Sequence, residues 1–146
     1  MADRVSAAIS VGGEIAAALI PDLIETIQLE GLSIEWDGEP FDENQLPVDG
    51  PLHLYAHEVA SGELDELEAF CRTNGLSYRR WSGGSSGSFG PEIAVWAGQG
   101  EPRRYAANEE EGAVITVGDA RELGSYDAIL GYFAEAEFGV PALRVG

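Results

Sequence analysis

The two histidines are the residues whose type and spacing could most directly hold a metal ion. His53 and His57 are four residues apart, a spacing that places two ligands on the same side of a helix. The surrounding segment LHLYAHEV alternates apolar and polar residues, which is typical of a half-buried strand. On a strand, residues at this spacing lie about 13 Å apart, too far for one ion to take both directly. We therefore predict no metal site and no cofactor.

Serines and glycines are common, but they do not form a catalytic motif. The segment SGGSSGSFGP, residues 82–91, lacks the Gly-Lys-Ser/Thr ending of a phosphate-binding loop and does not open a helix. Ser85 and Ser86 lie between two predicted strands, not at the strand-to-helix turn that a nucleophilic serine needs. We therefore predict no catalytic residues and no enzymatic activity. The segment is expected to be a mobile hairpin loop or, alternatively, a binding tip that carries Phe89.

Four of the eight arginines form two adjacent pairs, one before the Gly/Ser loop and one after the next predicted strand. They are Arg79, Arg80, Arg103 and Arg104. If these strands pair, the guanidinium groups could bind an anion or a nucleotide by bidentate contacts, next to stacking aromatic side chains. The interpretation that we favour is that they pair with acids of the same chain.

Charge is the extreme feature of this sequence. Twenty-six acidic residues oppose eight arginines, there is no lysine, and the net charge is −18. Such a chain repels nucleic acid and anionic membranes, because its field opposes their phosphates. The expected partner is instead a basic protein surface.

An acidic block without a base runs through residues 35–49. Its members are Glu35, Asp37, Glu39, Asp42, Glu43 and Asp49. One interpretation is a solvated acidic face that aids solubility. The other is a surface that imitates the phosphates of nucleic acid and occupies the basic groove of a nucleic-acid-binding protein. Trp36 and Phe41, together with Phe89, would then supply apolar anchors. A second block spans residues 109–111.

The elements that position these residues follow from periodicity and turn signals. The predicted strands are residues 4–11, 32–36, 52–59, 77–81, 92–98, 101–108 and 113–117. The predicted helical segments are residues 21–31, 61–75, 119–123 and 126–138. Gly75 is expected to end the second helix in a left-handed conformation, and Ser125 to cap the last one. Cys71 falls on an apolar helix stripe and is expected to be a buried thiol.

These elements predict a single α+β domain over residues 1–146. A mostly antiparallel sheet would carry two or three helices on one face. A ferredoxin-like core with an added hairpin is the first topology, and helices on both faces are the alternative. No apolar run approaches the roughly 20 residues of a membrane span, and the amino terminus is not of signal-peptide type, so we expect a cytoplasmic protein.

Two segments carry a resemblance to known proteins. LEAFCRTNGLSYRRWSGG and PEIAVWAGQGEP resemble small uncharacterised acidic proteins carried on bacterial phages and plasmids. The resemblance implies an origin on a mobile element and names no active site.

The sequence thus favours a non-enzymatic inhibitor that binds a basic, nucleic-acid-binding protein, such as a restriction enzyme or a CRISPR effector. One alternative is a small-ligand binder or enzyme built on Arg79, Arg80, Arg103 and Arg104. Another is a plain oligomerising module.

Overall fold

The computed structural model describes residues 4–146, which fold around a twisted, mostly antiparallel sheet. Its six strands are β1 (Arg4–Ile15), β2 (Leu52–Ala60), β3 (Ser77–Ser82), β4 (Glu92–Trp96), β5 (Arg103–Ala106) and β6 (Leu143–Val145). The order across the sheet is β2-β1-β3-β4-β5, with antiparallel neighbours. The short β6 pairs in parallel with the last residues of β1. Strands predicted at 4–11, 52–59, 77–81, 92–98 and 101–108 are confirmed.

Strand β1 organises the sheet, because it is long enough to pair with three other strands. Its alternation divides the core: Ile9 and Val11 face one layer, whereas Ala8 faces the other. The strand continues through Gly12 without a turn. A Cβ atom at Gly12 would lie 1.7 Å from the carbonyl oxygen of Pro141, so the glycine permits the carboxyl-terminal segment to pack closely on β1.

Helices cover both faces of the sheet. They are α1 (Ile20–Leu29), α2 (Asp65–Asn74), α3 (Val117–Leu123) and α4 (Tyr126–Ala136). Helices α1 and α2 bury Leu23, Ile27, Leu67 and Cys71 in the larger core layer on one face. On the opposite face, Ala136 of α4 belongs to a smaller core layer with residues of β4 and β5. The α+β class with a mostly antiparallel sheet is confirmed. Helix α4 lies on the opposite face from α1 and α2, as in the alternative with helices on both faces.

The ferredoxin-like topology is not what the chain adopts. In that topology a helix connects the first two strands as a parallel crossover. Here β1 and β2 are hydrogen-bonded, antiparallel neighbours, although α1 lies between them in sequence.

Two predicted helix ends are confirmed. Gly75 has φ 72° and ends α2, and its N–H bonds to the carbonyl oxygen of Cys71. The Ser125 hydroxyl accepts a hydrogen bond from the N–H of Ala128 at the start of α4. Both satisfy backbone groups that a helix end would otherwise leave unpaired.

The strand predicted at residues 113–117 is wrong. Ala113 makes only an isolated bridge with Ala107. Three residues later, Thr116 forms a capping box with Asp119 and starts α3. The β-branched run suggested a strand, but the capping pair decides the local structure.

The strand predicted at residues 32–36 is also wrong. Ser33 alone bridges Tyr55 at the edge of β2. The chain then turns: the N–H of Gly38 bonds to the carbonyl oxygen of Glu35, and Asp37 has φ 58°. Glu35 and Asp37 therefore belong to a turn and not to a strand.

Candidate partner-binding surface

The acidic segment at residues 35–49 lies on the surface beside the edge strand β2 and helix α1. Its six carboxylates, Glu35, Asp37, Glu39, Asp42, Glu43 and Asp49, are all exposed. The Ser33 hydroxyl donates to the carbonyl oxygens of Gly38 and Glu39, at 3.1 and 2.8 Å. These contacts fix the path of the segment and direct its acids toward solvent.

Phe41 cannot be an apolar anchor for a partner, because its side chain is 0% exposed. It lies in the core with α1 and α2, and Gln28 Nε2 donates to its carbonyl oxygen at 2.8 Å. The sequence prediction for Phe41 is therefore wrong. The sequence suggested a surface anchor because Phe41 lies among acidic residues. In the structure, Phe41 attaches the acidic segment to the core.

The other two predicted anchors are partly accessible. Trp36 is 38% exposed and packs with one side against the rings of Tyr55 and His57, with centroid distances of 5.0 and 4.9 Å. Phe89 is 36% exposed in the loop after β3, where its backbone pairs with Ser85. The structure thus leaves both aromatic rings available for contact.

The second acidic block, residues 109–111, is fixed by hydrogen bonds to the neighbouring loop and strand. The Asn108 side chain accepts from the N–H groups of Glu110 and Gly112. Glu109 Oε1 accepts from the N–H of Gly84 at 2.9 Å. In addition, Trp81 Nε1 donates to the carbonyl oxygen of Asn108 at 2.9 Å.

Trp36, from the first acidic block, and Glu109 and Glu111, from the second, line one groove although they are far apart in the sequence. Its lining includes Trp36, His57, Trp81, Glu109 and Glu111, which together we call the tryptophan groove. The groove has a volume of about 510 Å³. The sequence did not reveal this proximity, because it depends on the strand order.

The histidines make cross-strand contacts with serines of β1. Ser10 Oγ lies 2.7 Å from His53 Nδ1, and Ser6 Oγ lies 3.1 Å from His57 Nδ1. His57 Nε2 is also 3.3 Å from a carboxylate oxygen of Asp37. The two serines and the two histidines are each four residues apart in the sequence. On paired antiparallel strands, equal spacing allows both serine–histidine contacts to form.

Ser6, His57 and Asp37 have the residue types of a hydrolytic triad, and sequence analysis missed their proximity. Catalysis would also need N–H groups directed at a developing oxyanion. The nearby N–H of Gly83 bonds to the carbonyl oxygen of Ser6, and that of Gly84 bonds to Glu109. The contacts of His57 with Ser6 and Asp37 connect the acidic turn to the sheet.

The four predicted anion-binding arginines are divided between the two faces of the sheet. Arg80 is fully buried on the α1/α2 face, where it bonds to Glu68, Glu92 and Ser82 at 3.1, 3.2 and 2.8 Å. Arg104 reaches the same Glu92 carboxylate at 2.7 Å. The hydrogen bond to Glu92 raises the pKa of Arg104.

The other two arginines lie on the α4 face. Arg79 donates to the carbonyl oxygens of Ala136 and Glu111, at 2.8 and 3.2 Å, and its burial lowers its pKa. Arg103 pairs with Glu135 at 3.2 Å. Adjacent residues on a strand point to opposite faces, so the four guanidinium groups do not form one anion site.

Within residues 4–146, no cluster of three or more histidine, cysteine or acidic side chains is arranged to hold a metal ion. In the same range, no helix has the length and apolar character of a membrane span. Comparison of the chain with protein-family models, curated proteins and solved structures gives no significant match.

Proposed function

We propose that this protein binds the basic surface of a nucleic-acid-binding protein and competes there with nucleic acid. The observation that supports this most strongly is that both acidic segments, 35–49 and 109–111, are exposed and that Trp36 of the first shares a groove with Glu109 and Glu111 of the second. Nucleic-acid-binding surfaces present arginine and lysine to phosphates. Carboxylates on a rigid surface can take the place of those phosphates.

Electrostatics would accelerate the encounter. A net charge of −18 without a single lysine gives a field that attracts basic surfaces and raises the association rate. Because the acids are exposed, the attraction is screened beyond about 8 Å at physiological ionic strength. Binding should therefore be tight at low salt and weaken steeply as salt is added.

The acids are held on short, fixed turns, which supports a binding role. Asp42 starts a 3-10 turn at Glu43–Gln45 with a capping box, in which its side chain accepts from the N–H of Asn44. Phe41 attaches the adjacent backbone to the core. A surface that is already ordered loses less conformational entropy when it binds.

The target class that fits this proposal is a nuclease of a bacterial defence system, either a restriction enzyme or a CRISPR effector. These enzymes hold nucleic acid in long basic grooves. The resemblance of residues 67–84 and 91–102 to proteins of phages and plasmids favours such a target. The proposed activity is inhibition by occupation, without catalysis.

The experiment is a capture of partners from bacterial lysate at low salt, followed by elution with rising salt. The test variant carries Glu35→Gln, Asp37→Asn, Asp42→Asn and Glu43→Gln. The control variant loses the same charge at exposed sites elsewhere, Glu14→Gln, Glu101→Gln, Glu122→Gln and Asp127→Asn. We expect a nucleic-acid enzyme that the native protein and the control capture and inhibit, whereas the test variant does not. Equal capture by both variants would contradict the proposal.

A second candidate, an oligomerising module, is favoured by a different surface. Helices α3 and α4 expose Val117, Tyr126 and Leu130, and Tyr126 is 73% exposed. Apolar side chains of this size that remain accessible together are typical of an interface. Light scattering of the purified protein distinguishes the two: a stable assembly that Tyr126→Ser and Leu130→Ser dissociate would support this candidate.

A further inference from the structure

The tryptophan groove combines aromatic and acidic side chains. Trp36, His57 and Trp81 contribute aromatic rings, and Glu109 and Glu111 contribute carboxylates. Aromatic faces and carboxylates both attract cations, and neither attracts an anion. The chemistry of the groove therefore points to a cationic ligand.

Trp36 is positioned to stack on a flat cation. Its indole packs against Tyr55 and His57, which fix its orientation, while over a third of the residue stays accessible. Tryptophan is the best aromatic partner for a cation. A guanidinium group is planar and weakly hydrated, so it stacks on an aromatic face at a lower desolvation cost than an ammonium group.

On the carboxylate side of the groove, the side chain of Glu109 and the backbone of Glu111 are held by hydrogen bonds. Glu109 is held through Oε1 by the N–H of Gly84, which leaves Oε2 directed toward Gly83 on the groove wall. The backbone of Glu111 is held by Arg79, which donates to its carbonyl oxygen. A carboxylate that is held as Glu109 is can accept a charge-assisted hydrogen bond from a guanidinium in a defined geometry.

Arg4 also lines the groove, and its charge must be considered. Its Nη1 donates to the carbonyl oxygen of Glu58 at 3.0 Å, beside the bulge of β2. Arg79, which donates to the carbonyl oxygen of Glu111, is a second positive charge next to the groove. Glu109, Glu111 and the adjacent Asp37, which contacts His57, contribute three negative charges against these two. The field in the groove is therefore net negative.

We propose that the tryptophan groove binds the side chain of an arginine on the partner's basic surface. The guanidinium stacks on Trp36 and pairs with Glu109 and Glu111. This inference rests on the proposed function. It adds that the groove recognises one type of partner residue, arginine. The remaining acids of residues 35–49 then supply general attraction, and the groove supplies the preference for arginine.

The test uses a short arginine-glycine peptide and a matched lysine-glycine peptide of equal charge, both titrated calorimetrically at low salt. We expect the arginine peptide to bind about tenfold more tightly, a factor that corresponds to about 1.4 kcal/mol. Trp36→Leu and Glu111→Gln should each remove this preference. Glu110→Gln is the matched control, since it removes the same charge one residue away and Glu110 does not line the groove.

Three outcomes separate this inference from the proposed function. Equal binding of the two peptides, or equal losses with Glu110→Gln and Glu111→Gln, would overturn the groove assignment. If the peptides bind equally but the native protein still captures a nuclease through residues 35–43, the proposed function is supported and only the groove assignment is wrong. If the arginine preference is found but no nucleic-acid enzyme is captured, the groove is real and the proposed function fails.

Discussion

Arg80 and Glu68 form an ion pair inside the protein: Nε and Oε1 are 3.1 Å apart, and both side chains are buried between α2 and β3. Glu92 and Ser82 complete the hydrogen bonding of the guanidinium. The relationship explains why an arginine occurs in the middle of a strand. A charge at such a position is tolerated only when its partners are present.

Removal of one member of this pair should destabilise the protein strongly. Glu68→Gln leaves the Arg80 guanidinium buried without its main counter-charge, and we expect a loss of about 3–5 kcal/mol in the free energy of unfolding. Urea denaturation measures it. The control is Glu135→Gln, which breaks the exposed pair with Arg103 and should cost less than about 1 kcal/mol. Similar losses in both variants would contradict the role of the buried pair.

Phe41→Ala should affect both stability and the acidic segment. The substitution empties a fully buried position and should cost about 3–5 kcal/mol. Because Phe41 attaches residues 39–45 to the core, amide hydrogen exchange in that range should accelerate more than in β3. Trp36→Ala, at an accessible position, is the comparison and should leave this exchange unchanged. Uniform acceleration throughout the protein would instead indicate global destabilisation alone.

The charge and the structural role of Asp42 can be separated. Asp42→Asn keeps a side-chain oxygen that can accept from the N–H of Asn44, whereas Asp42→Ala loses it. We expect Asp42→Ala to cost about 1 kcal/mol in the free energy of unfolding and Asp42→Asn much less. Both should weaken partner binding to a similar extent. If only Asp42→Ala weakened binding, the contribution of this residue would be structural and not electrostatic.

Stability should fall in alkaline solution because two buried groups resist ionisation. Burial raises the pKa of the Cys71 thiol to about 12 from its ordinary value of 9.0, and that of Tyr78 to about 12 from 10.0. Above these ordinary values the unfolded chain loses both protons while the folded protein retains them. The unfolded state then binds fewer protons, so the free energy of unfolding decreases with rising pH.

Urea denaturation at a series of alkaline pH values tests this expectation. The stabilising contribution should be complete below about pH 9 and lost as the pH rises toward 12. Cys71→Ala should lower the starting stability but also reduce the slope, since one of the two groups is gone. An unchanged slope would show that Cys71 does not titrate as described.

In the native protein at neutral pH, the Cys71 thiol should react with a disulfide reagent only after unfolding.

Periodicity predicted most of the sheet because side chains along a strand alternate between its two faces; in β1, for example, Ile9 and Val11 lie in the larger core layer and Ala8 in the smaller one. The strand predictions failed at residues 32–36, where apolar and polar residues alternate, and at residues 113–117, where β-branched residues predominate. In both cases a side-chain hydrogen bond, from Ser33 or to Thr116, stabilises a turn or a helix start instead. Such local bonds compete with strand pairing, and alternation alone does not reveal them.

The candidate surface was only partly predictable. Exposure of the acids between Glu35 and Asp49 follows from their charge, since unpaired carboxylates avoid the core. The presence of Glu109, Glu111 and Trp36 in one groove depends on which strands are neighbours, and no local pattern in the sequence encodes that order. The burial of Phe41 likewise depends on the packing of the segment against α1.

The most direct test of the central claim is the salt dependence of inhibition of one captured nuclease. Its activity on nucleic acid would be measured with rising concentrations of the protein at several ionic strengths. We predict competitive inhibition that weakens steeply with salt. Inhibition should disappear when Glu35, Asp37, Asp42 and Glu43 are neutralised. The charge-matched control variant, changed at Glu14, Glu101, Glu122 and Asp127, should still inhibit. Inhibition that is indifferent to salt, or equally lost in both variants, would contradict binding through the acidic surface.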